Sequence, residues 1–160
     1  MLEMEVVGVQ VELPANTPVL LLRELGGAGR VLPIYIGSAE AASIHQAMNG
    51  DKPERPLTHD LFVLVFEELG VALQRVEVTH LEDGTFFAEL EMVSGGRVHR
   101  VTARPSDAVA LAVRLGTTVF AAEEVLAEAG HAPETPEEPE ELVDEFRRFI
   151  EEVSPEDFQS

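Results

Sequence analysis

The chain has 160 residues, a formal charge of −19 at neutral pH and no cysteine. The length suits one domain, or one domain with an appendage, and the missing thiols exclude disulfides, thiolate metal sites and thiol nucleophiles. The acidity disfavours a dedicated nucleic-acid-binding module, whose affinity comes from Lys and Arg on phosphates, but leaves room for an enzyme that touches a phosphodiester briefly. No apolar run approaches the ~18 residues that cross a bilayer, and Met1–Glu5 is acidic and lacks the basic-then-apolar pattern of a leader. A cytoplasmic protein without membrane attachment is the expectation.

In chain order, Val7, Val9, Val11 and Leu13 alternate with polar or small residues, which predicts a half-buried strand. Pro14–Pro18 forms a turn, Val19–Leu25 a second strand, and Gly26–Gly29 connects to a third over Val31–Ile36. The glycine run fits neither GxxxxGK[ST] nor GxGxxG, so it reads as a turn and not as a nucleotide cradle. Ser38–Met48 predicts a helix with Glu40 in its first turn, closed by Asn49-Gly50. After a polar loop, Thr58 is the expected cap of a helix over Asp60–Leu69, and Gly70 stops it.

Residues 71–103 read as an antiparallel meander: a strand over 71–80, a turn at Glu82-Asp83-Gly84, a strand over Thr85–Val93, a turn at Ser94-Gly95-Gly96, and a strand over Arg97–Ala103. Ser106 is the expected cap of a helix ending near Leu115 before Gly116. A short strand, Thr117–Phe120, and a short helix, Glu123–Ala129, follow. The order of elements predicts an α+β fold, with a mixed, mostly antiparallel sheet and helices packed on it.

From Glu123 onward, 14 acidic residues face two basic ones, a net of −12, against −7 for the first 122 residues. That shift divides the chain into a domain over 1–130, an acidic proline-bearing linker over 131–139 and a tail over 140–160. Within the tail, Leu142, Val143, Phe146, Phe149 and Ile150 recur at helical spacing over Glu140–Val153.

Two polar knots open apolar helices: Arg55-Pro56-Leu57-Thr58-His59-Asp60 and Arg104-Pro105-Ser106-Asp107. A charged loop at a helix N-terminus suits an anion or phosphate, and it equally suits ordinary capping. His59 could exchange a proton near neutral pH and Asp60 could ligate a cation, or the two could simply complement the helix dipole. Arg104 could hold a phosphate, or it could tie two helix starts together through a carboxylate. Glu40 and Asp107 carry the same duality. Arg55 and Ser106 are candidate substrate contacts whose plain readings are a solvated loop arginine and a cap. His45, His80, His99 and His131 show no metal-ligand spacing.

The string Leu32-Pro33-Ile34-Tyr35-Ile36-Gly37, then Glu40-Ala41, then Arg55–Leu61, then Ala103–Ala112 resembles the bifunctional nuclease domain family over about residues 5–130. The resemblance implies a compact alpha-beta roll and nuclease activity on both DNA and RNA. Thr102 stands where family members often carry Asp.

One expectation is therefore a metal-dependent nuclease. Mg²⁺ or Mn²⁺ would be held by Glu40, Asp60 and Asp107, His59 would activate water, and Arg104 would steady the phosphoryl group, with nucleic acid as a transient substrate. The alternative is a non-catalytic oligomeric binding or regulatory module whose charged knots are caps and ion pairs. Either way the apolar surfaces of the N-terminal strands and the tail predict a homo-oligomer, most simply a dimer.

Overall fold

A computed structural model describes residues 1–134 together with Arg147 and Arg148. The elements are β1 (Leu2–Glu12), β2 (Thr17–Glu24), β3 (Val31–Tyr35), α1 (Ser38–Met48), α2 (Thr58–Leu69), β4 (Ala72–Glu82), β5 (Thr85–Ser94), β6 (Arg97–Ala103), α3 (Pro105–Leu115), β7 (Val119–Ala121) and α4 (Glu123–Ala129). The fold is α+β, as predicted. The tail helix predicted over 140–153 lies outside the described residues except for Arg147 and Arg148, which are helical. No described helix is long and apolar enough to cross a membrane.

One seven-stranded sheet runs β3-β2-β1-β7-β4-β5-β6. Among the described residues, only β4 and β7 pair in parallel. The meander forms as predicted, because Asp83-Gly84 and Gly95-Gly96 all take positive φ, the conformation a two-residue hairpin loop needs. The short β7 joins the halves: Val119 pairs with Met4 on one side and Val76 on the other. Helix α4 touches both β3 and β4, although three strands separate them in the sheet, so the sheet curls. Val31 and His131 exchange backbone hydrogen bonds, which carries the folded domain past Gly130.

The inward face of β1 differs from the simple alternation. Val6 opposes Leu22 and Gly8 opposes Leu21, so Val7 is the extra residue of a bulge. The bulge flips the parity. Met4 is buried, Leu2, Val6 and Val9 pack against the core, and Val7, Val11 and Leu13 face solvent. Strand β4 has two such irregularities, around Gln74 and Thr79, which is why its register could not be read from alternation.

Both predicted helix caps shift. The residue at the α2 cap position is Leu57, and its N–H donates to the Asp60 carboxylate at 2.9 Å, so Thr58 is already inside the helix. The cap of α3 is Arg104 and not Ser106. Proline favours the first helical position and forces its predecessor into extended backbone, and Arg104 has φ −68° and ψ 142°.

Helix α3 is the hub. Ala108, Val109, Ala110, Leu111 and Ala112 are all buried, and these mostly small side chains let α1, α2, β4 and β5 approach it. By contrast α2 buries only Phe66, while Leu61, Phe62, Leu64, Val65 and Leu69 are 42–67% exposed.

Candidate active site

Three helices converge their polar residues. In α1, Glu40 and Ser43 are three residues apart and share a face. A Cβ on Gly37 would lie 2.1 Å from the Glu40 Oε2, so a side chain there would push the carboxylate from its place beside Arg104. The first turn of α2 supplies His59 and Asp60. In α3, the extended Arg104 reaches forward to Asp107, and Arg114, two turns beyond Asp107, lies on the same side.

The side chains form one continuous hydrogen-bonded chain. Arg104 donates from Nη2 to Glu40 Oε1 at 3.1 Å, and from Nε and Nη2 to the Asp107 oxygens at 2.8 and 3.2 Å. Asp107 Oδ1 lies 2.9 Å from His59 Nε2, and His59 Nδ1 lies 2.6 Å from Ser43 Oγ. Arg114 Nη2 donates to Ser43 Oγ at 3.0 Å, and its Nε donates to Asp60 Oδ1 at 2.9 Å. Arg114 Nη1 also donates to the Ala110 carbonyl at 2.9 Å.

Partner chemistry assigns the protons. Burial pushes the Asp107 carboxyl up, but hydrogen bonds from Arg104 and His59 outweigh it and hold it below the usual carboxylate range. The Arg114 hydrogen bond holds Asp60 low against burial, helped by the Leu57 N–H. An ionised Asp107 only accepts, so the His59 nitrogen that faces it, Nε2, carries a proton, and in the singly protonated ring Nδ1 is bare. Its bare Nδ1 then accepts from the Ser43 hydroxyl, and Ser43 Oγ accepts in turn from Arg114.

A cleft of about 270 Å³ exposes this chain, lined by Glu40, Ser43, His59, Arg104 and Asp107 among others. A larger one of about 640 Å³ lies along α2 and the 50–56 loop, with Asp60 and Arg114 in its wall. Arg104 is 64% exposed and is the cation the smaller cleft offers to solvent.

Of the residues singled out in the sequence, Glu40, His59, Asp60, Arg104 and Asp107 therefore come together. Arg55 does not: it is exposed and makes no polar contact among the described residues. Ser106 is buried and lines a separate cleft that Arg104 also borders. Thr102 is exposed on β6, opposite Glu89. Ser43 and Arg114 escaped the sequence reading. Their only signal was position: Ser43 three residues after Glu40, and Arg114 seven after Asp107.

The carboxylates as arranged do not fit a shared cation. Both Asp60 oxygens are taken, by Arg114 and by the Leu57 N–H, and both Asp107 oxygens by Arg104 and His59. Glu40 faces the Arg104 guanidinium. Among the described residues, no group of three or more His, Asp or Glu side chains is set to hold a metal ion.

Compared with known proteins, residues 20–134 match the bifunctional nuclease domain. Two relatives, both uncharacterized proteins of Mycobacterium tuberculosis, come from strains CDC 1551/Oshkosh and H37Rv. Each is 46% identical over 165 residues, covering 99% of this chain and 98% of its own length. The matched region spans every residue of the polar chain, from Glu40 to Arg114.

Proposed function

We propose that this chain, which belongs to the bifunctional nuclease domain family, hydrolyses phosphodiester bonds of DNA and RNA in the smaller cleft. The observation that carries this reading is the exposed Arg104 beside a His59–Asp107 pair in one concave site. Arg104 Nε and Nη2 are engaged by Asp107 and Glu40, so Nη1 is the nitrogen left to reach a phosphate oxygen and stabilise charge developing on it. The imidazole, held in one tautomer by Asp107, moves the proton. Because each carboxylate is already matched to a cationic or N–H donor, no step is routed through a metal.

The test is cleavage of labelled single-stranded RNA and DNA by wild type and Arg104→Ala, with Mg²⁺, Mn²⁺ or EDTA. The variant is expected to lose about 10²- to 10³-fold in activity, the scale for removing one donor to a transition-state oxyanion. Its stability should change by no more than about 1 kcal/mol, since an exposed ion pair contributes little. Full activity in Arg104→Ala rejects this role. Cleavage abolished by EDTA and restored by Mg²⁺ would return Glu40, Asp60 and Asp107 to the role of ligands after rearrangement.

A second reading is favoured by the same compensation of charge: a non-catalytic module in which the polar chain ties three helices together. The same assay separates the two, because that reading expects no cleavage by wild type or by Arg104→Ala.

We further propose that the chain forms a homodimer, with a second copy covering the outward apolar residues of α2. Sedimentation at micromolar concentration should give twice the mass of one chain, and Phe62→Glu should halve it. A wild type that sediments as a single chain rejects the dimer.

A further inference from the structure

We propose that Ser43 is a nucleophile, activated by His59 and Arg114, that forms a covalent phosphoserine intermediate. This rests on the phosphodiester reading above for its substrate class, but not for its reactivity. The argument begins with His59. Both ring nitrogens are occupied, Nε2 by Asp107 and Nδ1 by Ser43. The bare, proton-accepting nitrogen therefore faces the serine hydroxyl and not water. A base can take only the proton within hydrogen-bond reach, and here that proton is on Ser43 Oγ at 2.6 Å.

The order nucleophile, imidazole, carboxylate is the arrangement by which a serine is made reactive, recognised by geometry and role and not by sequence position. A fourth group strengthens it. The Arg114 side chain is only 9% exposed, and its Nη2 lies 3.0 Å from the same Oγ. A guanidinium largely shielded from water can still hydrogen-bond an alkoxide on Oγ, with Asp60 at 2.9 Å balancing part of its charge. A serine that only packed two helices together would not need a base on one side and a cation on the other. Ser43 is 8% exposed, and it lines the cleft that also presents Arg104.

The step balances. Ser43 Oγ attacks phosphorus while its proton passes to His59 Nδ1, and the ionised Asp107 balances the charge of the imidazolium without taking a proton. The bond from phosphorus to the departing nucleotide oxygen breaks, and that oxygen takes the proton from His59. Water then gives a proton to Nδ1 and bonds to phosphorus. The bond from phosphorus to Ser43 Oγ breaks, and Oγ recovers the proton. No oxidant, reductant or further reactant is required.

The test uses the full chain and diisopropyl fluorophosphate, a phosphorylating probe that reports activated serines whether or not nucleic acid is cleaved. Intact mass and peptide mapping would follow labelling of wild type, Ser43→Ala and His59→Gln, alongside cleavage of labelled RNA and DNA. One adduct on Ser43, absent from Ser43→Ala and at least tenfold slower in His59→Gln, is the expected result. That adduct without nucleic-acid cleavage keeps the serine and rejects the nuclease reading. No adduct on Ser43 overturns the inference. If Ser43→Ala also cleaves like wild type, the nuclease reading survives without it.

Discussion

Replacing His59 with glutamine is expected to lower cleavage of single-stranded RNA and DNA by about 10²- to 10⁴-fold, the range for a positioned acid–base group, while the fold persists. The reasoning starts from what glutamine keeps and what it loses. It fills a similar volume, and its amide can still donate toward Asp107. It cannot take a proton from Ser43. His59 is 12% exposed, so a modest packing loss of roughly 1 kcal/mol is the most expected from the change. Rates within twofold of wild type, measured on a variant with unchanged circular dichroism, would remove His59 from the chemistry. The run from Ser43 to Asp107 would then be a strut between helices. Asp107→Asn should follow the same direction with a second effect, because Arg104 loses its charged partner and becomes freer to wander.

Arg114→Met is expected to cost about 2–3 kcal/mol, below the 3–5 kcal/mol of a fully buried broken pair because Asp60 keeps some water contact. For a chain of this size that is a fall in Tm of roughly 5–10 °C. Methionine replaces much of the aliphatic volume, so the loss isolates the charge. Asp60 Oδ1, Ser43 Oγ and the Ala110 carbonyl each lose a donor. Acid titration supplies the sign. Asp60 is held below its ordinary range in the folded protein. Its stabilisation is therefore full above the unfolded carboxylate pKa of about 4 and is lost as pH falls through the folded value. Wild type should lose stability on acidification below about pH 4, and Arg114→Met should lose less over the same window. Equal melting temperatures for the two proteins at pH 7 would show that the ion pair is not holding α2 to α3.

Most of the polar chain was legible before the structure. His59, Asp60, Arg104 and Asp107 announce themselves because charged residues beside a proline at a helix start are conspicuous against apolar helices. Ser43 and Arg114 do not. A serine inside a helix and an arginine in a last turn have routine local explanations, namely solvation and the helix dipole. Their roles depend on α1 and α3 lying side by side, which a local pattern does not encode. The same limit explains the caps. Thr58 and Ser106 have good capping chemistry, yet the Asp60 carboxylate and Pro105 start their helices earlier.

The bulges are the clearest case in the fold. Alternation predicted that Val7, Val9 and Val11 share an inner face, but Val7 is the extra residue of the bulge and faces solvent, while Val11, on the same parity as Val9, is exposed near the end of the strand. A single inserted residue inverts parity, and nothing in the residue types marks where it falls.

By itself the amino-acid sequence determined the element types and their order, the meander with its glycine turns, and the family. All of these rest on interactions between residues near in the chain or on motifs written along it. Only the tertiary structure decided that β7 would enter between β1 and β4, and that polar side chains on three helices would meet in one hydrogen-bonded chain. Those outcomes depend on pairings between distant residues, where burial forces every polar group to find whichever partner packing brings within about 3 Å.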